Sequence, residues 1–131
     1  MKNLEDYSGY KFESNIYRTP EYISFERKYR NYIKKNLPEG YSLHSFSGGH
    51  FCFSCVIKTN TEKFIYLSIF DVRYSPNEWK DKILIRQMEH EKDWHGKGNY
   101  YTTLKNLPQN LKTLNERGFV NYRRNDDELE M

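Results

Sequence analysis

The sequence predicts a single α+β domain over residues 1–131, in which two helices pack on one face of a four- or five-stranded antiparallel meander. Two segments carry apolar residues at three- and four-residue spacing, which is typical of amphipathic helices. Between them, from position 41 to 90, apolar and polar residues alternate with a period of two, and short turns separate the runs. A chain of 131 residues suffices for one hydrophobic core, and no repeat or linker divides it.

The first helix is predicted from its start and stop signals. Residues 1–18 are polar with scattered aromatic side chains, and we expect them to form an N-terminal arm. Thr19 then supplies a hydroxyl cap, Pro20 occupies the first helical position, and Glu21 places an acid in the first turn. A Pro-Glu-Gly sequence at 38–40 ends the helix. The stripe that faces the core comprises Tyr22, Phe25, Tyr29, Tyr32 and Ile33.

Four strands follow, at residues 41–46, 50–58, 63–70 and 82–90. The first two are separated by Ser47-Gly48-Gly49, a hairpin signal because glycine adopts positive φ without a steric penalty. A turn at 59–62 leads into the third strand, and a longer connection at 71–81 leads into the fourth. Residues 119–122 are a candidate for a short fifth strand at the edge.

A leucine stripe predicts the second helix. The leucines step by three, four and three residues, and Gly118 closes the helix at its C-terminal end. Pro108 lies inside this pattern, so the helix either begins near Asn106 or kinks there. The acidic residues 125–131 are expected to be disordered. The stripe comprises Leu104, Leu107, Leu111 and Leu114.

Composition and charge limit the classes of partner. The net charge of +3 is smaller than that of a dedicated duplex-DNA binder and opposite in sign to that of a DNA mimic. The 12 tyrosines suit an interface, because each ring offers a large contact area with few rotatable bonds. There is no signal-peptide pattern and no run of eighteen apolar residues, so we expect a cytoplasmic protein without a membrane partner.

Two patterns resemble known chemical sites without meeting their requirements. Cys52 and Cys55 have the spacing of a redox pair, but in a strand positions i and i+3 point to opposite faces, so the thiols could neither pair nor share a metal ion. His90 and His95 are five residues apart, whereas the metalloprotease helix motif needs a spacing of four. We therefore expect reduced thiols, no metal and no cofactor, although the residues from His90 to His95 could still gather around a cation as loop ligands; a solvated polar turn is the interpretation we favour. His90 and His95 are the candidates for a catalytic acid or base.

Charged residues follow the predicted third strand and run along and beyond the fourth. If these two strands pair, the charges could gather at one end of the sheet. Arginines there could bind a phosphate or a carboxylate. The alternative, which we favour, is a structural ion-pair network that ties down the two neighbouring loops. The candidate binding residues are Asp71, Arg73, Arg86, His90, Asp93, His95, Tyr100 and Tyr101.

Four segments carry a family resemblance: SGGHF at 47–51, FDVRYSPNEW at 70–79, ILIRQMEHEKDW at 83–94 and GNYYTTL at 98–104. They resemble a family of small proteins carried by phages, plasmids and conjugative elements of low-GC Gram-positive bacteria, and the resemblance covers roughly residues 29–118. The resemblance implies a role in inhibiting host defence, as anti-CRISPR proteins do, and it carries over no catalytic residue. The positive net charge differs from that of acidic DNA mimics and favours contact with an effector protein or its guide RNA.

Three functional hypotheses remain open. In the first, the protein is a binding inhibitor of a bacterial defence nuclease and contacts the effector protein or ribonucleoprotein. In the second, it is an enzyme acting on a nucleic acid or nucleotide, with His90 or His95 as acid or base and an arginine holding phosphate. In the third, it is an accessory protein of a mobile element that binds RNA or DNA, with an affinity that falls as salt rises. We favour binding over catalysis.

Overall fold

Five strands form one antiparallel sheet in the computed structural model, which describes residues 3–13, 17–93 and 97–117. Their bounds are β1 Ser42–Gly48, β2 Phe53–Lys58, β3 Phe64–Ser68, β4 Ile83–Met88 and β5 Lys97–Thr102. Each strand pairs with the next one in the chain, so the order is β1-β2-β3-β4-β5. The predicted α+β class with an antiparallel meander is confirmed.

The fifth strand lies in a different place from the candidate. β5 follows the turn after β4, in a segment where the sequence indicated a glycine loop. Gly98 has a φ of 62°, a conformation that favours glycine, and the pairing with β4 shifts register between Ile85 and Gln87. Strand statistics disfavour such a glycine, which is why sequence pattern alone missed β5. The candidate strand at 119–122 and the acidic segment at 125–131 lie outside the described residues.

Helix α1, Pro20–Asn36, forms where its capping residues predict it. The Thr19 hydroxyl accepts a hydrogen bond from the Tyr22 backbone amide at 3.2 Å, and Lys34 and Lys35 lie in the last turn, where the helix dipole favours positive charge. The stripe is buried as expected except at Tyr32, which is half-buried and packs against the core. Its buried members are Tyr22, Phe25, Tyr29 and Ile33.

The connection between β3 and β4 contains the short helix α2, Glu78–Asp81, which buries Trp79. The leucine stripe forms helix α3, Leu107–Arg117, which begins at the residue before Pro108. A proline in the first turn removes no helical hydrogen bond, and so the predicted start near Asn106 holds and no kink is needed. Leu104 precedes the helix and is nevertheless buried.

The described part of the N-terminal arm contributes buried side chains. A 3₁₀ turn at Leu4–Tyr7 buries Leu4 and Tyr7, and Phe12 follows them into the interior. The Phe12 ring stacks on Tyr7 with a centroid distance of 5.8 Å and meets Phe25 of α1 at 5.3 Å. The arm therefore closes part of the aromatic core against α1.

One hydrophobic core contains side chains from the arm, the helices and one alternating set of strand positions. Gln87 of β4 donates a hydrogen bond from its Nε2 to the backbone carbonyl of Leu114, which ties the sheet to α3. That both helices cover the same face of the sheet stays a prediction. Within the described residues, no helix combines the length and apolar character needed to cross a membrane.

Candidate functional site

The register of β3 and β4 divides the predicted charge cluster. Ser68, at the end of β3, pairs with Leu84, near the start of β4. The residues that follow β3, including Asp71 and Arg73, therefore lie beyond one end of the sheet, and His90 lies beyond the other. The expectation that these charges gather at one end is wrong, because in an antiparallel pair the end of one strand meets the start of the next.

At the first end, Arg73 and Asp71 form a bidentate ion pair. Arg73 Nη2 donates to Asp71 Oδ2 at 2.7 Å and Arg73 Nε donates to Oδ1 at 3.0 Å, and Oδ1 also accepts from the Arg73 backbone amide at 2.9 Å. The guanidinium carbon stands 4.6 Å from the centroid of the Phe51 ring and 5.1 Å from that of Tyr74. These contacts hold the Arg73 side chain in one orientation.

The electrostatics of the pair keep Asp71 ionised. Burial by itself would raise the pKa of Asp71, but the hydrogen bonds and charge of Arg73, with a smaller contribution from His50, hold that pKa below its ordinary value. The hydrogen bonds to Asp71 in turn raise the pKa of Arg73. This end of the sheet therefore presents a fixed ion pair at neutral pH.

A groove with a volume of about 760 Å³ opens beside this ion pair. Tyr74 on its wall is 72% exposed, and it is one of three large hydrophobic side chains that the described part of the chain leaves exposed, with Tyr17 and Ile23. The groove combines apolar walls with charges at its rim. The Arg73 groove, as we call it, is lined by Lys11, Phe12, Glu13, Arg73, Tyr74 and Pro76.

At the other end of the sheet, His90 and Asp93 belong to one tight turn. The Asp93 amide donates to the His90 carbonyl at 3.0 Å, and the Asp93 carboxylate accepts from the Glu89 amide at 2.9 Å. His90 Nδ1 accepts from the Lys92 amide at 3.2 Å. These contacts of both side chains shape this exposed turn. His95, the other histidine candidate, lies outside the described residues.

Arg86 belongs to neither end, because it lies in the middle of β4. It pairs with Tyr66 of β3, and its guanidinium carbon lies 4.6 Å from the centroid of the Tyr66 ring. The alternation of side chains places both on the face opposite to the buried Ile83 and Ile85. Arg86 and Tyr66 thus form a ring–cation pair on the second face of the sheet.

A second ring–cation group lies on the same face. Lys82 Nζ stands 5.0 Å from the centroid of the Tyr101 ring and 5.7 Å from that of Phe70. These two rings stack with centroids 6.2 Å apart and planes inclined by 20°. Tyr101 pairs with Leu84, which shares the face of Arg86. The sheet platform, as we call the whole group, consists of Tyr66, Phe70, Lys82, Arg86 and Tyr101.

The two tyrosines predicted as neighbours in the site point in opposite directions. Tyr101 is half-buried on the platform, whereas Tyr100 is fully buried in the core and is not available to a surface partner. Successive residues of a strand face opposite sides, so only one of the pair could be a surface residue. Phe70 and Lys82 were not among the candidates, although the alternation that buries Ile65, Leu67 and Ile69 also places Phe70 on the second face.

Among the described residues, the charged side chains at the paired positions of the platform face are cations. By register, the paired positions that share the face of Arg86 include five serines and no carboxylate. Among the described residues, carboxylates form ion pairs at the margin of this face, where Glu62 lies 3.8 Å from Lys58 and Glu91 lies 2.7 Å from His44. These positions are Ser42, Ser45, Ser47, Ser54, Val56, Lys58, Phe64, Tyr66, Ser68, Leu84, Arg86, Met88 and Tyr101.

Both cysteines are free thiols. Burial raises the pKa of Cys55 in the core to about 12, and burial followed by the charge of Asp71 raises the pKa of the half-buried Cys52. A redox-active pair needs a lowered pKa on the attacking thiol, so these surroundings favour inert thiols. In the described part of the chain, no group of three or more His, Cys, Asp or Glu side chains is arranged to hold a metal ion.

Comparison with known proteins adds no assignment. No protein-family model, no curated protein and no solved structure matches the chain. The roles of the Arg73 groove and the sheet platform must therefore be argued from the chemistry of their own residues.

Proposed function

We propose that the protein acts in the bacterial cytoplasm as a binding inhibitor of a host-defence nuclease, of the anti-CRISPR kind, and contacts the effector protein through the Arg73 groove. The observation that carries the proposal is Tyr74, which is 72% exposed beside an arginine held in one orientation by Asp71. The resemblance of residues 29–118 to small proteins of mobile elements supports the inhibitory role.

The composition of the groove suits a protein partner. Tyrosine and arginine are among the residues most enriched where a few side chains dominate the energy of a protein–protein interface. Arg73 is already ordered by Asp71 and Phe51, so binding costs it little conformational entropy. The groove of about 760 Å³, lined by Phe12 and Pro76 among others, can receive an apolar side chain of the partner. Tyr74 would then pack against the partner surface around that side chain.

The proposal is tested by titrating the protein against a panel of CRISPR nuclease ribonucleoproteins while target cleavage is measured. We expect cleavage by a sensitive nuclease to stop at a near-stoichiometric ratio. Tyr74→Ala should weaken that inhibition by about tenfold or more, because it removes a contact of the hot-spot type. Tyr17→Ala is the matched control, since Tyr17 is 73% exposed and lies outside the groove lining.

Each alternative outcome has a distinct meaning. Inhibition that survives Tyr74→Ala at full strength would exclude the groove as the contact surface while leaving the inhibitory role in place. Inhibition far below stoichiometry would indicate turnover and support the enzymatic hypothesis. If the protein inhibits none of the nucleases tested, the proposed function is overturned.

A further inference from the structure

We infer that the sheet platform is a binding surface for a single-stranded polynucleotide, on which bases stack while phosphates contact Arg86 and Lys82. This inference goes beyond the proposed function and uses other residues, so that either can fail without the other. It depends on the rings, on the cations and on the charge of the face around them.

The rings are positioned as stacking surfaces. Tyr66 on β3, Phe70 beyond the end of β3 and Tyr101 on β5 are half-buried, so part of each side chain stays open to solvent. Phe70 and Tyr101 already stack at 6.2 Å, which orders both rings before a ligand arrives. Every base has an aromatic face, so such rings hold single strands without regard to sequence.

The cations lie over the rings. The Arg86 guanidinium carbon and Lys82 Nζ stand 4.6 Å and 5.0 Å from the centroids of Tyr66 and Tyr101, so a base that stacks on a ring or on the Arg86 guanidinium leaves its phosphate near a positive charge. Unlike Arg73, Arg86 makes no ion pair within the described residues, and its Nε is buried without a hydrogen-bond partner. An arginine to which the described residues offer no counter-charge suits a phosphate ligand.

The surrounding face is complementary to a polyanion. The paired positions that share the face of Arg86 carry the cations Lys58 and Arg86, five serine hydroxyls and no carboxylate. Serine hydroxyls and cations both bind phosphate and sugar oxygens. A broad sheet face accepts bases splayed out of a strand, whereas the bases of a duplex are stacked inside and cannot reach the rings. Single strands are therefore the expected ligand.

The test is fluorescence anisotropy with a labelled 12-nucleotide oligouridine, in parallel with the same length of oligothymidine and with a duplex. We expect both single strands to bind and the duplex to bind much more weakly. With about three phosphate contacts, affinity should fall about twentyfold between 50 and 200 mM salt. RNA bound more tightly than DNA would indicate contacts to the 2′-hydroxyl.

Variants separate stacking from charge. Tyr101→Leu should weaken binding of the oligouridine by about tenfold while keeping an apolar strand residue. Lys82→Gln, at an exposed position, should weaken binding and lower the salt dependence. Lys35→Gln is the control, because it removes the same charge from an exposed position on α1. Arg86→Lys should retain part of the affinity that Arg86→Gln loses, and thermal unfolding shows whether each variant is folded.

Three results would overturn the inference. The first is an equal loss of affinity in Lys35→Gln and Lys82→Gln, which would reduce the binding to net charge. The second is equal affinity for the duplex and the single strand, since duplex bases cannot stack on the rings. The third is that the protein binds none of the oligonucleotides; if Tyr101→Leu then weakens capture of the nuclease protein, the face is a second protein contact.

Discussion

The hydroxyl of Tyr29 donates a hydrogen bond of 2.6 Å to the backbone carbonyl of Trp79. Both side chains are buried, and their rings also meet edge to face with centroids 5.9 Å apart. The bond therefore links the middle of α1 to α2 inside the aromatic core, and it satisfies two polar groups that have no access to water.

Removing this hydroxyl should destabilise the fold. We expect Tyr29→Phe to lower the free energy of unfolding by about 1–2 kcal/mol, because it leaves a buried carbonyl without its donor. Urea unfolding followed by circular dichroism measures the change. Tyr32→Phe, the same substitution at a half-buried position, should cost less than about 0.5 kcal/mol. Equal costs at the two positions would show that the Tyr29 bond adds no stability.

The leucine stripe of α3 should be essential to the core. Leu111 is fully buried, so Leu111→Ala should lower the free energy of unfolding by about 2–5 kcal/mol through lost contacts and the cavity left behind. Its neighbour Lys112 is exposed, and Lys112→Ala should change the free energy of unfolding by less than about 0.5 kcal/mol. Denaturant midpoints of the two variants compare these costs directly. A small effect of Leu111→Ala would contradict the packing of α3 on the sheet.

The Asp71–Arg73 pair should contribute to acid sensitivity. Because the pKa of Asp71 in the fold lies below its ordinary value of 3.8, the unfolded chain binds more protons there. The stability from the pair is therefore complete above that ordinary pKa and is lost as the pH falls through the lower, folded-state value. Asp71→Asn should lower the free energy of unfolding at pH 7 by about 1 kcal/mol or less. Between pH 5 and pH 2 the variant should lose less of its stability than the wild type does. Arg73→Gln should flatten the same part of the plot of unfolding free energy against pH. An unchanged plot in both variants would show that the Asp71–Arg73 pair does not contribute to acid sensitivity.

The hairpin between β1 and β2 should require a glycine at position 49. A Cβ atom there would stand 2.7 Å from the backbone carbonyl oxygen of Cys52, which already accepts the Gly49 amide at 2.8 Å. Since that oxygen is backbone, Gly49→Ala should cost about 1–3 kcal/mol of unfolding free energy. At Gly48 a Cβ would meet the carboxylate of Glu26, the far end of a flexible side chain, and so Gly48→Ala should cost less. Thermal unfolding of the two variants ranks them, and the reverse order would contradict the hairpin geometry.

The two thiols should differ in their reaction with an alkylating agent. Burial raises the pKa of both, so the thiolate that reacts is scarce at neutral pH. Cys52 is half-buried and should react slowly in the native state, with a rate that rises as pH rises. Cys55 is buried and should react only after unfolding. Mass spectrometry after iodoacetamide treatment at pH 7 and pH 9 measures both, and rapid reaction of Cys55 at pH 7 would contradict its position in the core.

Much of the fold was predictable because its signals are local. Thr19 and Pro20 mark the start of α1, and four of the five members of the stripe that follows are buried as the helical spacing requires: Tyr22, Phe25, Tyr29 and Ile33. The alternation along β2 and β3 likewise identified the residues that enter the core. β5 escaped prediction because Gly98 adopts a φ of 62° inside a strand, which sequence statistics assign to a loop.

The residues by themselves determined the class of fold, the two long helices and the inward set of strand side chains, because hydrogen bonding and burial impose periods of 3.6 and 2 on neighbouring positions. Only the tertiary structure decided which distant side chains meet. The antiparallel pairing of β3 with β4 places Arg73 and His90 at opposite ends of the sheet, and the pairing of β4 with β5 brings Tyr101 to the face of Arg86. The short turns indicated antiparallel strands, but the register of each pair and the position of β5 arise from the packing of the whole chain, and so no local pattern contains them.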